Sequence, residues 1–347
     1  FRSGSASLGP KTEQRYPLEM SILVTGGAGY IGSHVVRLLQ ERNQDVVVVD
    51  DLDTGLATRI GDAPLVNLDL AAPDAVARLI ETIKTHQVSS VIHFAAKKQV
   101  GVSVQQPEHY FDQNIGGMTH LLEAMRETGV TRFVFSSSAA TYGMPDVAAC
   151  HEDMICQPIN PYGETKLVGE WLARAAARAW GLKVVNLRYF NVAGAGWDDL
   201  ADTAVANLIP IAFAAIRAGK QPVVFGDDYP TPDGSCLRDY IQVTDLARAH
   251  MDALRYLRAG GDSLACNCGY ERGYSVLEVL DAVDRVTNRK IVRVLGPRRA
   301  GDPDSLISDN TRIRQTLPWV PKFADLDQIV NHALAWERKL GEIRAKA

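Results

Sequence analysis

The sequence predicts an α/β fold, a doubly wound parallel sheet with helices on both faces, followed by a smaller mixed α/β domain. Three observations carry this expectation. Strand and helix candidates alternate from Met20 to Asn191, the strand candidates are apolar at nearly every position, and the rhythm loosens after Asn191. Strands apolar on both faces are buried on both, which requires helices above and below a parallel sheet.

The expected strands are Ile22–Thr25, Val46–Asp50, Leu65–Leu68, Val91–Phe94, Phe133–Ser136 and Val184–Tyr189. Helical segments Ile31–Arg42, Pro73–Thr85, His109–Thr128 and Tyr162–Trp180 lie between most of them. Beyond Asn191, helices Val205–Ala218, Thr244–Leu257, Val276–Thr287 and Leu326–Leu340 alternate with short strands near Val223–Phe225, Leu264–Asn267 and Ile291–Val294. The expected division is a first domain over 20–191 and a second over 192–347, with some later elements free to return to the first. Residues 1–19, FRSGSASLGPKTEQRYPLE, lack an initiator Met and an apolar core. They read as a disordered or non-native extension, with Met20 as the native start.

At 347 residues the chain can bury a substantial core in two domains, and 46% apolar with 22% charged residues is an ordinary globular balance. Its net charge is −4 with the signs interspersed, so no basic run points to nucleic acid or an anionic membrane. The longest apolar stretch, around Leu208 to Ile216, contains Pro210 and is too short to span a bilayer. Five scattered cysteines without a C-x-x-C pair argue against a disulfide framework or a zinc site, so no metal is expected and a reducing, cytoplasmic setting fits.

The stretch VTGGAGYIG follows the first strand and opens the first helix, and Gly26, Gly29 and Gly32 spell G-x-x-G-x-x-G. Glycines let the backbone turn tightly against a pyrophosphate, whose charge then rests on the N–H groups of the helix N-terminus. Asp50, Asp51 and Asp53 close the next strand. A carboxylate there accepts hydrogen bonds from ribose hydroxyls and repels a 2′-phosphate, which favours NAD over NADP. Asp69, at the end of the third strand, reads by itself as a turn residue.

NPYGETK places Tyr162 and Lys166 at i, i+4 on one helix face, with Asn160 as N-cap and Pro161 at the first helical position. A free tyrosine titrates near ~10, so ionising it at neutral pH costs roughly 4 kcal/mol. A Lys ammonium, the helix N-terminus and a nicotinamide cation can together offset much of that. Taken alone, such a pair is more often an exposed helical contact. It gains weight from FSSSAATYG upstream, whose serines stand at the carboxyl end of a strand, where open α/β sheets bind ligands. Ser138 is placed to hydrogen-bond a reacting hydroxyl.

TGGAGYIG, HFAA, FSSSAATYG, YGETK and RYFN together resemble the extended short-chain dehydrogenase/reductase family, whose fold is of the Rossmann type. Within it, FGDDYPTPDGSCLRDYIQVTDLARAH (Phe225–His250) and GPRRAGDP (Gly296–Pro303) resemble the UDP-glucose (UDP-galactose) 4-epimerases. The resemblance runs from Met20 almost to the C-terminus. The glycine turn and Y-x-x-x-K mark only the superfamily, whereas YPTxDG…RDY is much more specific.

The resemblance implies a pyrophosphate turn at Gly26, Gly29 and Gly32 flanked by Tyr30 and Ile31, and adenosine contacts at Asp50 and Asp69 beside Leu70. Phe94, Ala95, Ala96, Lys98, Asn114 and Ser136 take further cofactor-contacting positions. Ser138, Tyr162 and Lys166 match the catalytic set, of which Tyr162 and Lys166 also touch the cofactor and Ser138 and Tyr162 the sugar. Tyr189 and Asn191 lie between nicotinamide and sugar nucleotide, and Asn207, Leu208 and Phe225 match substrate contacts. Arg238, Arg299 and Asp302 match a clamp on the nucleotide sugar, a role that suits the planar fork of arginine. Without the resemblance both arginines read as surface residues.

The implied reaction is a redox-neutral inversion of UDP-galactose and UDP-glucose. Tyr162 takes the proton of the sugar 4-hydroxyl as hydride passes to NAD⁺, the transient 4-keto sugar turns over, and hydride returns to its other face. The implied partners are the UDP-sugar and a second copy of the chain, paired through Tyr162–Trp180 and His109–Thr128. Sugar-nucleotide dehydratases share the fold, but their pattern puts Asp and Glu after the Ser/Thr, where this chain has Ala139 and Ala140. A catalytically silent NAD-binding regulator would typically lack the Tyr or the Lys. Three departures bear on the substrate. VAGAGWDDLADTAVA after RYFN is shortened, Gln242 replaces the usual His of RDYIHV, and Leu306 stands at the gate position that separates plain from N-acetylated sugars. UDP-N-acetylhexosamines and UDP-pentoses therefore stay open as alternative substrates.

Overall fold

Apolar strands of this kind are stable only where neighbours satisfy their backbone groups and helices cover both faces. The computed structural model describes residues 20–346 apart from 203, 206 and 300, with side chains to 339, so the expectation for residues 1–19 lies outside the described residues. Strands β1 (Ser21–Thr25), β2 (Val46–Asp50), β3 (Leu65–Asn67), β4 (Val88–His93), β5 (Arg132–Ser138) and β6 (Lys183–Tyr189) pair in parallel in the order β3-β2-β1-β4-β5-β6. The strand order reverses at β1, which opens the crevice where such sheets bind ligands.

The side chains alternate as a two-residue period demands. Ile22, Val24, Val46 and Val48 pack in one core with helices α1 (Tyr30–Glu41) and, from much later in the chain, α8 (Val243–Arg258). Leu23, Val47, Val49 and Phe133 pack in a second core with α2 (Ala75–Thr85), α5 (Gly117–Thr128) and α6 (Pro161–Trp180). Each fully buried Val, Leu or Phe contributes about 1.5–3 kcal/mol, so these two layers fix the sheet.

The short helices α3 (Val100–Gln105) and α4 (Pro107–Phe111) precede α5. The single helix expected over His109–Thr128 is interrupted by a π-turn, Asp112–Gly116. The buried side chain of Asn114 leaves the helix there to bond the β4 loop.

After β6 the chain builds a smaller layer from β7 (Asn191–Ala193), α7 (Leu208–Arg217), β8 (Val223–Phe225) and β9 (Leu237–Gln242). It then returns: α8 covers the first sheet, and β10 (Leu264–Cys268) pairs with β6 as its seventh strand. Next come β11 (Gly273–Ser275), α9 (Val276–Thr287), β12 (Val294–Gly296), β13 (Ser305–Leu306), α10 (Thr311–Thr316) and α11 (Leu326–Lys346). β9 is the spine of the small sheet, antiparallel to β11 and parallel to β13 and β7, while β8 and β12 form a separate parallel pair. The strand expected at Ile291–Val294 begins only at Val294. Asp284 of α9 accepts the Ile291 N–H at 2.9 Å and an Arg293 N–H at 3.0 Å, which ties residues 291–293 back to the helix.

Candidate active site

The glycine turn is built by close approach. Gly26 has φ +70°, and a Cβ on it would stand 2.5 Å from the Ala95 backbone nitrogen, while a Cβ on Gly32 would stand 2.2 Å from the Gly26 carbonyl oxygen. Strand end, helix start and β4 loop thus touch backbone to backbone, a contact that a side chain at either glycine would force apart. Helix α1 has no side-chain cap among the described residues, so its first N–H groups are available to an anion.

Asp50 is buried, and its carboxylate accepts the Ala28 and Leu52 N–H groups, each at 2.9 Å. Burial raises its pKa above the ordinary carboxylate value, against the pull of those two bonds. Asp69 accepts the Ala71 N–H at 2.9 Å.

On the other side of the crevice, the Asn160 side chain accepts the Gly163 N–H at 2.9 Å and starts α6. Tyr162 and Lys166 project from one face of that helix. The Ser138 side chain and the Tyr162 phenol line the same cleft; burial raises the phenol's pKa, and the Ser138 hydroxyl opposes the rise. Lys166 Nζ donates to the Ser136 carbonyl at 2.9 Å and lies 5.8 Å from the Tyr162 ring centre. Burial lowers this ammonium to about 8. The lysine is thus charged at neutral pH and sits beside the phenol whose ionised form it favours.

One cleft of about 590 Å³ joins these parts. Gly26, Gly29, Gly32, Asp50 and Asp69 line it together with Ser138, Tyr162 and Lys166. So do Tyr30, Ile31, Leu70, Phe94, Ala95, Ala96, Lys98, Tyr189, Asn191, Asn207 and Leu306. The two residues after the serine, Ala139 and Ala140, also form its wall.

Two residues expected against the cofactor lie one layer behind that wall. Asn114 spends its amide on the Lys97 backbone and on Thr165 Oγ1. Ser136 is fully buried, with its hydroxyl on His250 Nε2 at 2.8 Å and its carbonyl on Lys166. Leu208, Phe225, Arg238, Arg299 and Asp302 stand off the cleft wall, in the small layer. There Arg238 pairs with Asp302 at 2.8 Å and the Arg299 guanidinium lies 4.0 Å from the Phe225 ring centre. Arg238 neighbours Leu306 across the β9–β13 register, one strand from the cleft.

A buried ion pair supports the serine strand. Glu170, on α6, takes both Arg188 Nε at 2.9 Å and Nη2 at 2.6 Å, and also accepts the Ser137 hydroxyl at 2.5 Å. Sequence reasoning missed this pair and also Lys97, Arg59 and Asp202 of the cleft wall. The adjacent acids Asp51 and Asp53 were the only sequence signal for Lys97; nothing local marks Arg59.

The shortened segment after β7 follows α1. The Tyr30 hydroxyl donates to the Gly194 carbonyl at 2.5 Å, His34 Nε2 accepts the Gly196 N–H at 3.0 Å, and Arg37 pairs with Asp199 at 2.7 Å. Burial lowers His34 to about 4, which keeps that nitrogen an acceptor at neutral pH. Arg59 donates to the Ala201 carbonyl at 2.7 Å.

A parallel sheet that offers a dinucleotide turn and a Tyr–Lys helix to a single cleft has the architecture of enzymes that pass hydride to and from a nicotinamide nucleotide. Residues 22–269 match the model of the NAD dependent epimerase/dehydratase family, and the chain belongs to that family. It is 45% identical over 324 residues to the UDP-glucose 4-epimerase of Azospirillum brasilense, covering 92% of each chain. The fold is similar to the crystal structure of UDP-glucose 4-epimerase from Brucella ovis in complex with NAD, with TM-score 0.87 and 41% identity over 92% of this chain and 98% of that one. It is also similar to UDP-glucose-4-epimerase from Stenotrophomonas maltophila with bound NAD and formylated UDP-arabinopyranose, with TM-score 0.89 and 38% identity over 93% and 99% of the two chains.

Proposed function

We propose that the protein is an NAD-dependent 4-epimerase that interconverts UDP-galactose and UDP-glucose. The observation that carries this reading is the single cleft in which the glycine turn faces Ser138, Tyr162 and Lys166, with only alanines at 139 and 140. NAD fits the turn at Gly26, Gly29 and Gly32, which line the cleft where the first N–H groups of α1 carry no side-chain cap among the described residues. When bound, its nicotinamide supplies the acceptor and then the donor of hydride.

The chain's own groups handle the proton. Tyr162 Oη accepts it from the sugar 4-hydroxyl and later returns it, and the Ser138 hydroxyl orients both oxygens. The Lys166 ammonium offsets part of the cost that burial places on the phenolate. Dehydration needs a carboxylate acid/base pair beside the sugar, and the positions following Ser138 hold alanine instead. The Arg238–Asp302 and Arg299–Phe225 pairs are the groups we assign to the nucleotide end of the substrate, with Leu306 at the sugar end.

The working unit we propose is a homodimer in the cytoplasm. The helices α4 and α6 carry the exposed aromatic side chains Phe111 and Trp171, which suit pairing of this face. Among the described residues no helix is long and apolar enough to cross a membrane.

The test is to offer UDP-galactose, UDP-N-acetylgalactosamine and UDP-xylose separately and follow the 4-epimers. UDP-galactose is expected to convert fastest. Faster conversion of either other sugar moves the assignment to that substrate, and no product from any of them overturns it.

A further inference from the structure

Lys97 sits in the loop after β4, and its ammonium reaches to the loop after β2. It contacts Asp53 Oδ2 at 2.8 Å and Asp51 Oδ2 at 3.3 Å. The Lys97 hydrogen bond holds the Asp53 carboxyl below the ordinary carboxylate value. All three residues line the cofactor cleft. In the sheet β1 lies between β2 and β4, so a bond from the β4 loop to the β2 loop crosses the carboxyl end of β1, above the glycine turn.

The crossing side chain is fixed from behind. Asn114 Oδ1 accepts the Lys97 N–H at 2.7 Å, and Asn114 Nδ2 donates to the Lys97 carbonyl at 3.1 Å. The same Nδ2 donates to Thr165 Oγ1 at 3.0 Å, on α6 between Tyr162 and Lys166. Holding the N–H and carbonyl of one residue sets the direction in which its side chain leaves the backbone. The lysine is therefore aimed across the cleft by the helix that carries the reacting tyrosine.

We propose that Lys97 is a cofactor-retaining residue, whose bridge to Asp51 and Asp53 straps the adenosine half of bound NAD into the cleft. The inference rests on the reading of the glycine turn and Asp50 as the NAD site. It suits a reaction that returns the cofactor to its starting state each cycle, because such a cofactor has no need to leave. Both ion pairs are partly exposed, so their loss accelerates release by about three- to tenfold rather than by orders of magnitude.

The experiment loads the full chain with labelled NAD and follows its release into excess unlabelled NAD. Wild type is compared with Lys97→Met and Lys97→Arg at about 0.1 M and about 1 M salt, where the screening length falls from ~10 Å to ~3 Å. Lys97→Met is expected to release NAD about three- to tenfold faster, and Lys97→Arg to restore retention. Salt is expected to speed release from wild type and to leave Lys97→Met little changed. Equal release rates for wild type and Lys97→Met, or an equal salt response in both, overturn the strap alone. A wild-type chain that takes up no labelled NAD overturns the site reading beneath it.

Discussion

Replacing Lys166 with methionine separates what the lysine costs the fold from what it contributes to the reaction. The side chain is buried, and burial lowers its ammonium from an ordinary 10.5 to about 8. At pH 7 the lysine is charged in both the folded and the unfolded chain, and the folded state carries the full desolvation cost. The gap between 10.5 and about 8, at about 1.36 kcal/mol per pH unit, amounts to roughly 3 kcal/mol. Between those two values the folded protein has released the proton while the unfolded chain still holds it. The unfolded state then binds more protons, so stability rises with pH across that window. Methionine has no such dependence. The stability of wild type relative to Lys166→Met should be flat below about pH 8 and climb by roughly 3 kcal/mol towards pH 10.5. Urea unfolding of the NAD-free proteins over a pH series, read by tryptophan fluorescence, measures this, and taking the difference cancels the other titrating groups. A difference that is independent of pH, or that falls as pH rises, refutes a lysine whose ammonium burial lowers. The same variant should lose about 100-fold in turnover, because Tyr162 loses the adjacent cation.

Tyr162→Phe removes the phenol hydroxyl from the cleft and should lower epimerisation by about 10²–10⁴-fold while bound nicotinamide stays visible by absorbance; surviving activity would rule out the phenol as the proton acceptor. Glu170→Gln keeps the shape but leaves the buried Arg188 guanidinium without its counter-charge. Unfolding in urea should show a loss of about 3–5 kcal/mol, and a loss under about 1 kcal/mol would show that the pair is not what holds the serine strand.

The first sheet was legible because its strands are apolar on both faces and its turns are local. Where its edges were misplaced, polar residues were buried. β4 starts at Val88 rather than Val91 because Ser89 and Ser90 are buried within it, and no apolar run marks them. The small sheet was nearly invisible for the same reason. Its spine, LRDYIQ, carries Asp239, fully buried because it accepts the backbone N–H groups of Tyr270, Glu271 and Ser308 and the Ser308 hydroxyl. Those donors arrive from later parts of the chain, and a pattern read in sequence order cannot supply them. The π-turn at Asn114 likewise follows from a contact with Lys97, not from the helix's own residues. At the site, motifs with fixed spacing placed Ser138, Tyr162 and Lys166 in one cleft with the glycine turn. The links between distant loops, Lys97 to Asp53 and Arg59 to Ala201, left no such spacing to read.

Two of the sequence's departures from the epimerase pattern prove to be one feature. The shortened segment after β7 lies along α1 through Tyr30, His34 and Arg37, and it leads directly to Asp202, Ala204 and Asn207 at the cleft wall. Gln242, where a histidine is usual, is fully buried beside it. Its Oε1 accepts the Thr244 and Asp245 N–H groups at the start of α8, and its Nε2 donates to the Ala195 carbonyl within the segment. A neutral imidazole has one acceptor nitrogen and one donor, whereas an amide oxygen has two lone pairs and its nitrogen two protons. The glutamine can therefore cap the helix twice and still hold the segment. The helix that begins at the glycine turn and the residue that caps α8 thus set the path of the chain toward the cleft wall at Asn207. The path of this segment is consequently tied to contacts made from α1, through Tyr30, His34 and Arg37, and to the Gln242 amide that anchors it at Ala195.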